Sequence, residues 1–228
     1  MDYYFITYGL TFIAFIITLI AQIFVSSSYN KYSKVRNERG ISGTEAARYI
    51  LDKNNLNNIE IGKTNGYLSD HYDPRNKKIK LSNNVYNDCS IASVAVACHE
   101  CGHAIQDKEN YVFLKIRSKI IPIVNFCSYA GYISIVLGCL FGALELIWLG
   151  IIAEVAILVF QLITLPVEIN ASRRALKELD YAHLLNSEEL KQAKIMLIAA
   201  ALTYVASVLT TLIQILRLVL MFTSRDER

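Results

Sequence analysis

The fold class predicted by this sequence is a predominantly α membrane protein: four transmembrane helices plus a small α+β cytoplasmic segment carrying an H-E-x-x-H helix. Three observations predict it. The 228-residue chain is 54 % hydrophobic with a mean hydropathy of +0.33, more apolar than an average soluble protein. The excess lies in four runs, each reaching the roughly 20 residues needed to cross about 30 Å of hydrocarbon as a helix. The basic residues, finally, gather on one side of those runs. The expected boundaries are membrane helices over 3–25, 120–144, 146–167 and 195–222, an α+β segment over 26–119, and a cytoplasmic helix over 168–194.

Residues 3–25 contain no charged side chain, and a soluble core helix is seldom apolar on every face over such a length. No Lys or Arg precedes this run, and the "SSSYNKY" after it is a poor A-x-A cleavage site. A retained anchor is therefore expected, not a cleaved leader. In "ISGTEAARYILDKN", Ser42 and Glu45 stand at capping-box spacing, ahead of Ala46, Ala47, Ile50 and Leu51 at helical intervals. This predicts a short amphipathic helix. The next stretch alternates in short pieces broken by Asn65-Gly66 and by Asp73-Pro74-Arg75-Asn76. It reads as two or three strands, with 78–81 in a hairpin or meander and a strand edge free there. "CSIASVAVACHECGHAIQDKEN" is Ala-rich and free of Pro, long enough for about four helical turns. Runs 120–144 and 195–216 are uncharged, and 146–167 carries Glu154 alone.

Lys31, Lys34, Arg36 and Arg39 follow the first run, and Lys108, Lys115, Arg117 and Lys119 precede the second. Arg173, Arg174 and Lys177 follow the third, and Lys191 and Lys194 precede the fourth. Four spans put all of these on one side, while the other side holds Arg225 and Arg228 at the tail and Arg217, which can snorkel outward. The positive-inside rule then places 26–119 and 168–194 in the cytoplasm. The cysteines agree: Cys89, Cys98, Cys101, Cys127 and Cys139 are odd in number, with two inside the second run. That is no secreted disulfide framework, and reduced thiols are expected. The net charge of +3 gives no reason to expect a nucleic-acid partner; a lipid bilayer is the expected one.

The chemistry concentrates in "HECGH". On a helix, His99 and His103 leave one face about 40° apart, so a single tetrahedral Zn²⁺ can reach both rings. Glu100 lies about 100° round from His99, where its carboxylate faces a metal-bound water without ligating, the place for a general base. Gly102 leaves no side chain beside the metal. In so apolar a helix, two histidines and a carboxylate would be costly to bury without a site to serve. Cys98 and Cys101 have C-x-x-C spacing but point about 140° and 160° away from His103, and read as small fillers on the back of the helix.

A catalytic zinc keeps three protein ligands and one open position. Glu145 falls in the outer turn and Glu154 in mid-membrane, so neither suits. Glu168 follows Pro166 at the cytoplasmic end of the third run; His183 and His71 are rivals. His71, in "LSDHYDP", is also a candidate catalytic group that holds an oxyanion, as are Arg173 and Arg174.

"HECGHAIQ", "LSDHYDPR", "LPVEINASRRA" and "AALTYVASVL" together resemble the YugP-like family of membrane neutral zinc metallopeptidases, over essentially the whole chain. The chain is more distantly similar to membrane gluzincins of the prenyl-protease and heat-shock type. The resemblance implies a zincin-like cytoplasmic segment, with one Zn²⁺ per chain held by His99, His103 and Glu168 and with Glu100 as base. A zinc endopeptidase is expected, and a cleft at the membrane interface suits membrane or membrane-proximal proteins as substrates. One departure stands out: the distant relatives carry E-x-x-x-D after the ligand glutamate, and here the matching position is Ser172. The group that orients a ligating histidine must then be a hydroxyl or come from elsewhere, with Asn170, Asp70 and Asp73 as candidates. Two other classes remain open: a non-catalytic, zinc-stabilised scaffold or accessory subunit, and a transporter with Glu154 as an intramembrane ion site.

Overall fold

The structure is a computed structural model that describes residues 2–66 and 68–226; of the tail charges counted above, Arg228 lies outside the described residues. Its elements are α1 (Asp2–Tyr32), α2 (Gly43–Lys53), β1 (Glu60–Thr64), β2 (His71–Asp73), β3 (Lys78–Ser82), α3 (Asn83–Asn87), α4 (Ile91–Lys108), α5 (Val112–Phe141), α6 (Leu144–Tyr181) and α7 (Ser187–Asp226). The protein is thus predominantly helical, with one small sheet. Among the described residues, four helices are long and apolar enough to cross a membrane: Ile6–Tyr32, Val112–Phe141, Leu144–Tyr181 and Ser187–Thr223. They run past the apolar stretches of the sequence, because their polar ends continue the helical hydrogen bonding. Most notably, α6 continues through Pro166, where the sequence suggests a boundary. A proline removes one backbone hydrogen bond, and the turns on either side hold the helix together.

The chain forms two compact units. One contains the described parts of Met1–Gln22, Ile116–Leu165 and Thr203–Arg228. Within it, Ile147 and Ile151 of α6 pack with Leu218 and Phe222 of α7. Small residues bring α5 and α6 together, since a Cβ on Gly131 would lie 2.6 Å from that of Ala153, as membrane helices that lack a hydrophobic drive to associate require. Gly142, at φ +69°, makes the left-handed turn between them. Tyr8, Phe12, Phe15, Phe126, Tyr129 and Leu140 are exposed, as lipid-facing side chains would be. Arg217 does not simply snorkel: its guanidinium donates to Thr11 Oγ1 at 3.0 Å, linking α7 to α1.

The second unit comprises Ile23–Lys115 and Pro166–Leu202. Ser42 accepts from the Glu45 N–H while Glu45 accepts from the Ser42 N–H, the reciprocal cap read from the sequence. The apolar face of α2, Ala46, Ala47, Ile50 and Leu51, is fully buried and joins the core that α4 also enters. The sheet order is β1-β3-β2, with β1 and β3 parallel and β2 and β3 antiparallel. β2 and β3 form the hairpin expected around 78–81, but the free edge expected there is corrected, because β3 is paired on both sides. That strand is central because Ile79 and Leu81 are its apolar, fully buried positions, and a strand paired on both sides has no edge to offer. The outer strand next to α4 is β2. Helix α4 is capped at Ser90, whose hydroxyl accepts from the Ser93 N–H, and it is buried along nearly its whole length, cysteines included.

Gly102 also has a packing role that the sequence did not disclose. A Cβ there would lie 2.4 Å from the carbonyl oxygen of Ala171 and 3.0 Å from its carbon. Its missing side chain lets α4 lie directly on the backbone of α6. Gly102→Ala should therefore push the two helices apart and destabilise the protein by about 1–3 kcal/mol. Thermal unfolding in detergent, with zinc content measured alongside, checks this; an unchanged melting temperature and full zinc occupancy would refute the packing argument.

Candidate active site

The helical spacing of His99 and His103 sets their rings side by side, with centroids 4.8 Å apart and planes nearly perpendicular. From α6, Glu168 brings Oε2 to 3.2 Å from His99 Nε2 and to 3.6 Å from His103 Nε2. Donor atoms of all three residues lie within 4.8 Å of one another. Two ligands each about 2.0–2.1 Å from a tetrahedral zinc stand roughly 3.4 Å apart, so the glutamate-to-histidine distances match that ion. The donor set also fits, two imidazoles and a carboxylate being a familiar zinc environment. His103 and Glu168 are buried and His99 is partly so, which shields the place from bulk water.

Each ring is held from behind. Ser172 Oγ lies 3.1 Å from His99 Nδ1, so the hydroxyl at the departing position does orient a histidine of the site. Gln106 Oε1 lies 3.0 Å from His103 Nδ1. Of the three candidates read for such a role, Asn170 acts through Gln106. Asp70 accepts from the backbone N–H and hydroxyl of Ser82, and Asp73 closes its own turn through Arg75 and Asn76. Gln106 was missed in the sequence, although its spacing, three residues after His103, was the available signal.

Glu100 is buried, and its carboxyl is pushed up to about 7. Burial is the main cause; nearby His99 lowers the value, Glu168 and Asp70 raise it, and the backbone N–H of Tyr72 lowers it again. That last contact locates the strand edge. Tyr72 pairs with Ile79 across β2 and β3, and its N–H turns away from β3, toward α4.

Other predicted groups go elsewhere. His71 is exposed on β2, its ring 2.8 Å from the Ser69 carbonyl oxygen. It pairs across the sheet with Lys80, on the face opposite the buried Ile79 and Tyr72 side. Among the described residues it is not one of the three grouped donors. His183 is exposed in a left-handed conformation just past α6. Arg174 is occupied by Asn170 and Glu109, and Arg173 is exposed. Cys98 and Cys101 are free, fully buried thiols whose ionisation is pushed up, chiefly by burial, as inert fillers require.

Residues 7–223 match the family model described as "Putative neutral zinc metallopeptidase". The chain belongs to this family. It is also 45 % identical over 219 residues to "Putative membrane protease YugP" of Bacillus subtilis (strain 168), covering 96 % of this chain and 97 % of that protein. No solved structure matches it. The family name supports a protease that uses zinc, and the relative's name together with the four apolar helices supports a place in a membrane.

The burial of Glu100 has a pH signature in the metal-free protein of this family. A carboxyl raised from an ordinary 4.5 to about 7 binds its proton more tightly folded than unfolded. Its contribution to stability is complete below about pH 4.5 and is lost as pH rises through about 7. With zinc stripped by a chelator, wild type should lose on the order of 2–3 kcal/mol more than Glu100→Gln between pH 4.5 and 8. Parallel melting curves in detergent test this; identical pH dependence in the two proteins would contradict it.

Proposed function

We propose that this chain is an integral-membrane zinc endopeptidase that cleaves membrane or membrane-proximal proteins, with one zinc per chain and its site on the cytoplasmic side. The observation that carries the reading is the convergence of His99, His103 and Glu168, with the buried Glu100 next to them in sequence. His99, His103 and Glu168 would hold a zinc ion, which when bound would supply a Lewis acid and acidify a water toward about pH 7. Glu100 would take a proton from the attacking water on its carboxylate and later pass it to the departing amine. Its elevated pKa suits both transfers near neutrality; a dication nearby would draw the value down, while its desolvation holds it up. A second element of the reading is that an extended substrate would add to the outer edge of β2 beside Glu100, taking the Tyr72 N–H in place of the Glu100 carboxylate.

The cytoplasmic assignment rests on the basic residues from Lys31 to Arg39, Lys108 to Lys119, and Arg173 to Lys194, read with the positive-inside rule. A purely structural zinc is usually closed by a fourth protein ligand. Among the described residues the group has three members, which favours the enzyme over the scaffold.

Two substitutions separate the roles. Glu100→Gln should keep zinc at wild-type stoichiometry and lose proteolysis by at least about 10²-fold, the lower bound for removing a positioned base. Glu168→Gln should lose zinc itself. Metal analysis and peptide release from purified membranes read both; cleavage by Glu100→Gln at the wild-type rate would remove this carboxylate from the mechanism.

A further inference from the structure

We propose that Gln106, oriented by the Val167 carbonyl and by Asn170 with its Arg174 partner, sets the proton position on His103, so that Nε2 is left as the metal-binding atom. The inference rests on the zinc reading and concerns how the histidine is prepared for the ion. Side-chain amides are ambiguous, since their oxygen and nitrogen can exchange places by a half-turn. A guanidinium is not ambiguous, because it only donates.

The polarity follows link by link. Arg174 Nε lies 2.7 Å from the Asn170 side chain, so the atom facing it must be the oxygen. Gln106 places one amide atom 2.9 Å from that same oxygen and 2.8 Å from the carbonyl oxygen of Val167. Both neighbours accept, so the Gln106 atom must be Nε2. Its Oε1 is therefore left 3.0 Å from His103 Nδ1, and a carbonyl oxygen can only accept. Nδ1 must carry the hydrogen, and the lone pair of the neutral ring falls on Nε2, the atom 3.6 Å from Glu168 Oε2. Gln106 is fully buried, so water does not offer an alternative partner, and a reversed amide would leave opposed donors or acceptors in the core. Glu109 pairs with Arg174 NH1 at 2.7 Å and fixes the start of the chain. The arrangement at His99 differs: the Ser172 hydroxyl both donates and accepts and imposes no direction.

Gln106 and Asn170 are positioning residues, and the test reads position as well as affinity. In the zinc-loaded full-length chain labelled with ¹⁵N-histidine, His103 should show a proton on Nδ1 and zinc on Nε2. Chelator competition should give Gln106→Met a zinc Kd about 10–100-fold weaker than wild type, with helical content unchanged by circular dichroism. Asn170→Asp keeps an acceptor for both Arg174 and Gln106 and should bind zinc within a few-fold of wild type, whereas Asn170→Leu should weaken it. Zinc on His103 Nδ1 in the wild type would overturn the proposal even if Gln106→Met does not fold. So would a Gln106→Met protein that binds zinc as tightly as wild type. A wild-type chain that takes up no zinc overturns the metal reading itself, a distinguishable result.

Discussion

The close contact of α4 with α6 at Gly102 and Ala171 is the constraint on which the site depends. His99 and His103 come from one helix and Glu168 from another, 65 or more positions later in the chain. Their nitrogens and oxygen meet only if the two backbones lie nearer than ordinary side chains permit. The hydrogen bonds across the same seam, from Gln106 to Val167 and from Ser172 to His99, then fix rotation and register. Packing sets the distance, and polar contacts set the direction.

That seam concentrates charge at a cost. Glu168 and Glu100 are both buried, and Glu168 contributes to the raised ionisation of Glu100. Two carboxylates in a desolvated place repel one another unless a cation is near. The two histidines offset part of this, and a divalent ion would offset more. An arrangement unfavourable for stability alone is what a metal site requires, and it explains why an otherwise apolar helix tolerates these residues.

Much of this was legible in the sequence. The four long apolar helices follow from run length, the α2 cap from Ser42 and Glu45, and the pairing of His99 with His103 from helical spacing. Glu168 was accessible only by combining topology with family resemblance, because no local pattern joins it to α4. The sheet order was hidden: strand segments show their own periodicity but not their neighbours, and only the complete burial of Ile79 and Leu81 explains why the last strand lies in the middle. The placement of His71 was hidden as well, because a histidine in a turn-rich stretch carries no mark of which face of a strand it will occupy. Gln106 and Tyr72 act through an amide chain and a backbone N–H, and such roles depend on partners distant in the sequence.

The brevity of β2 has a bearing on selectivity. Three residues, of which Tyr72 turns its main chain toward α4 and already gives its N–H to Glu100, would give an incoming polypeptide only a short grip. On the proposed reading, so brief a clasp reads little of a target's residue order and asks mainly that a length of it be slack. Proteins whose chains are tied up in their own architecture would pass untouched, while frayed or unassembled ones would be taken.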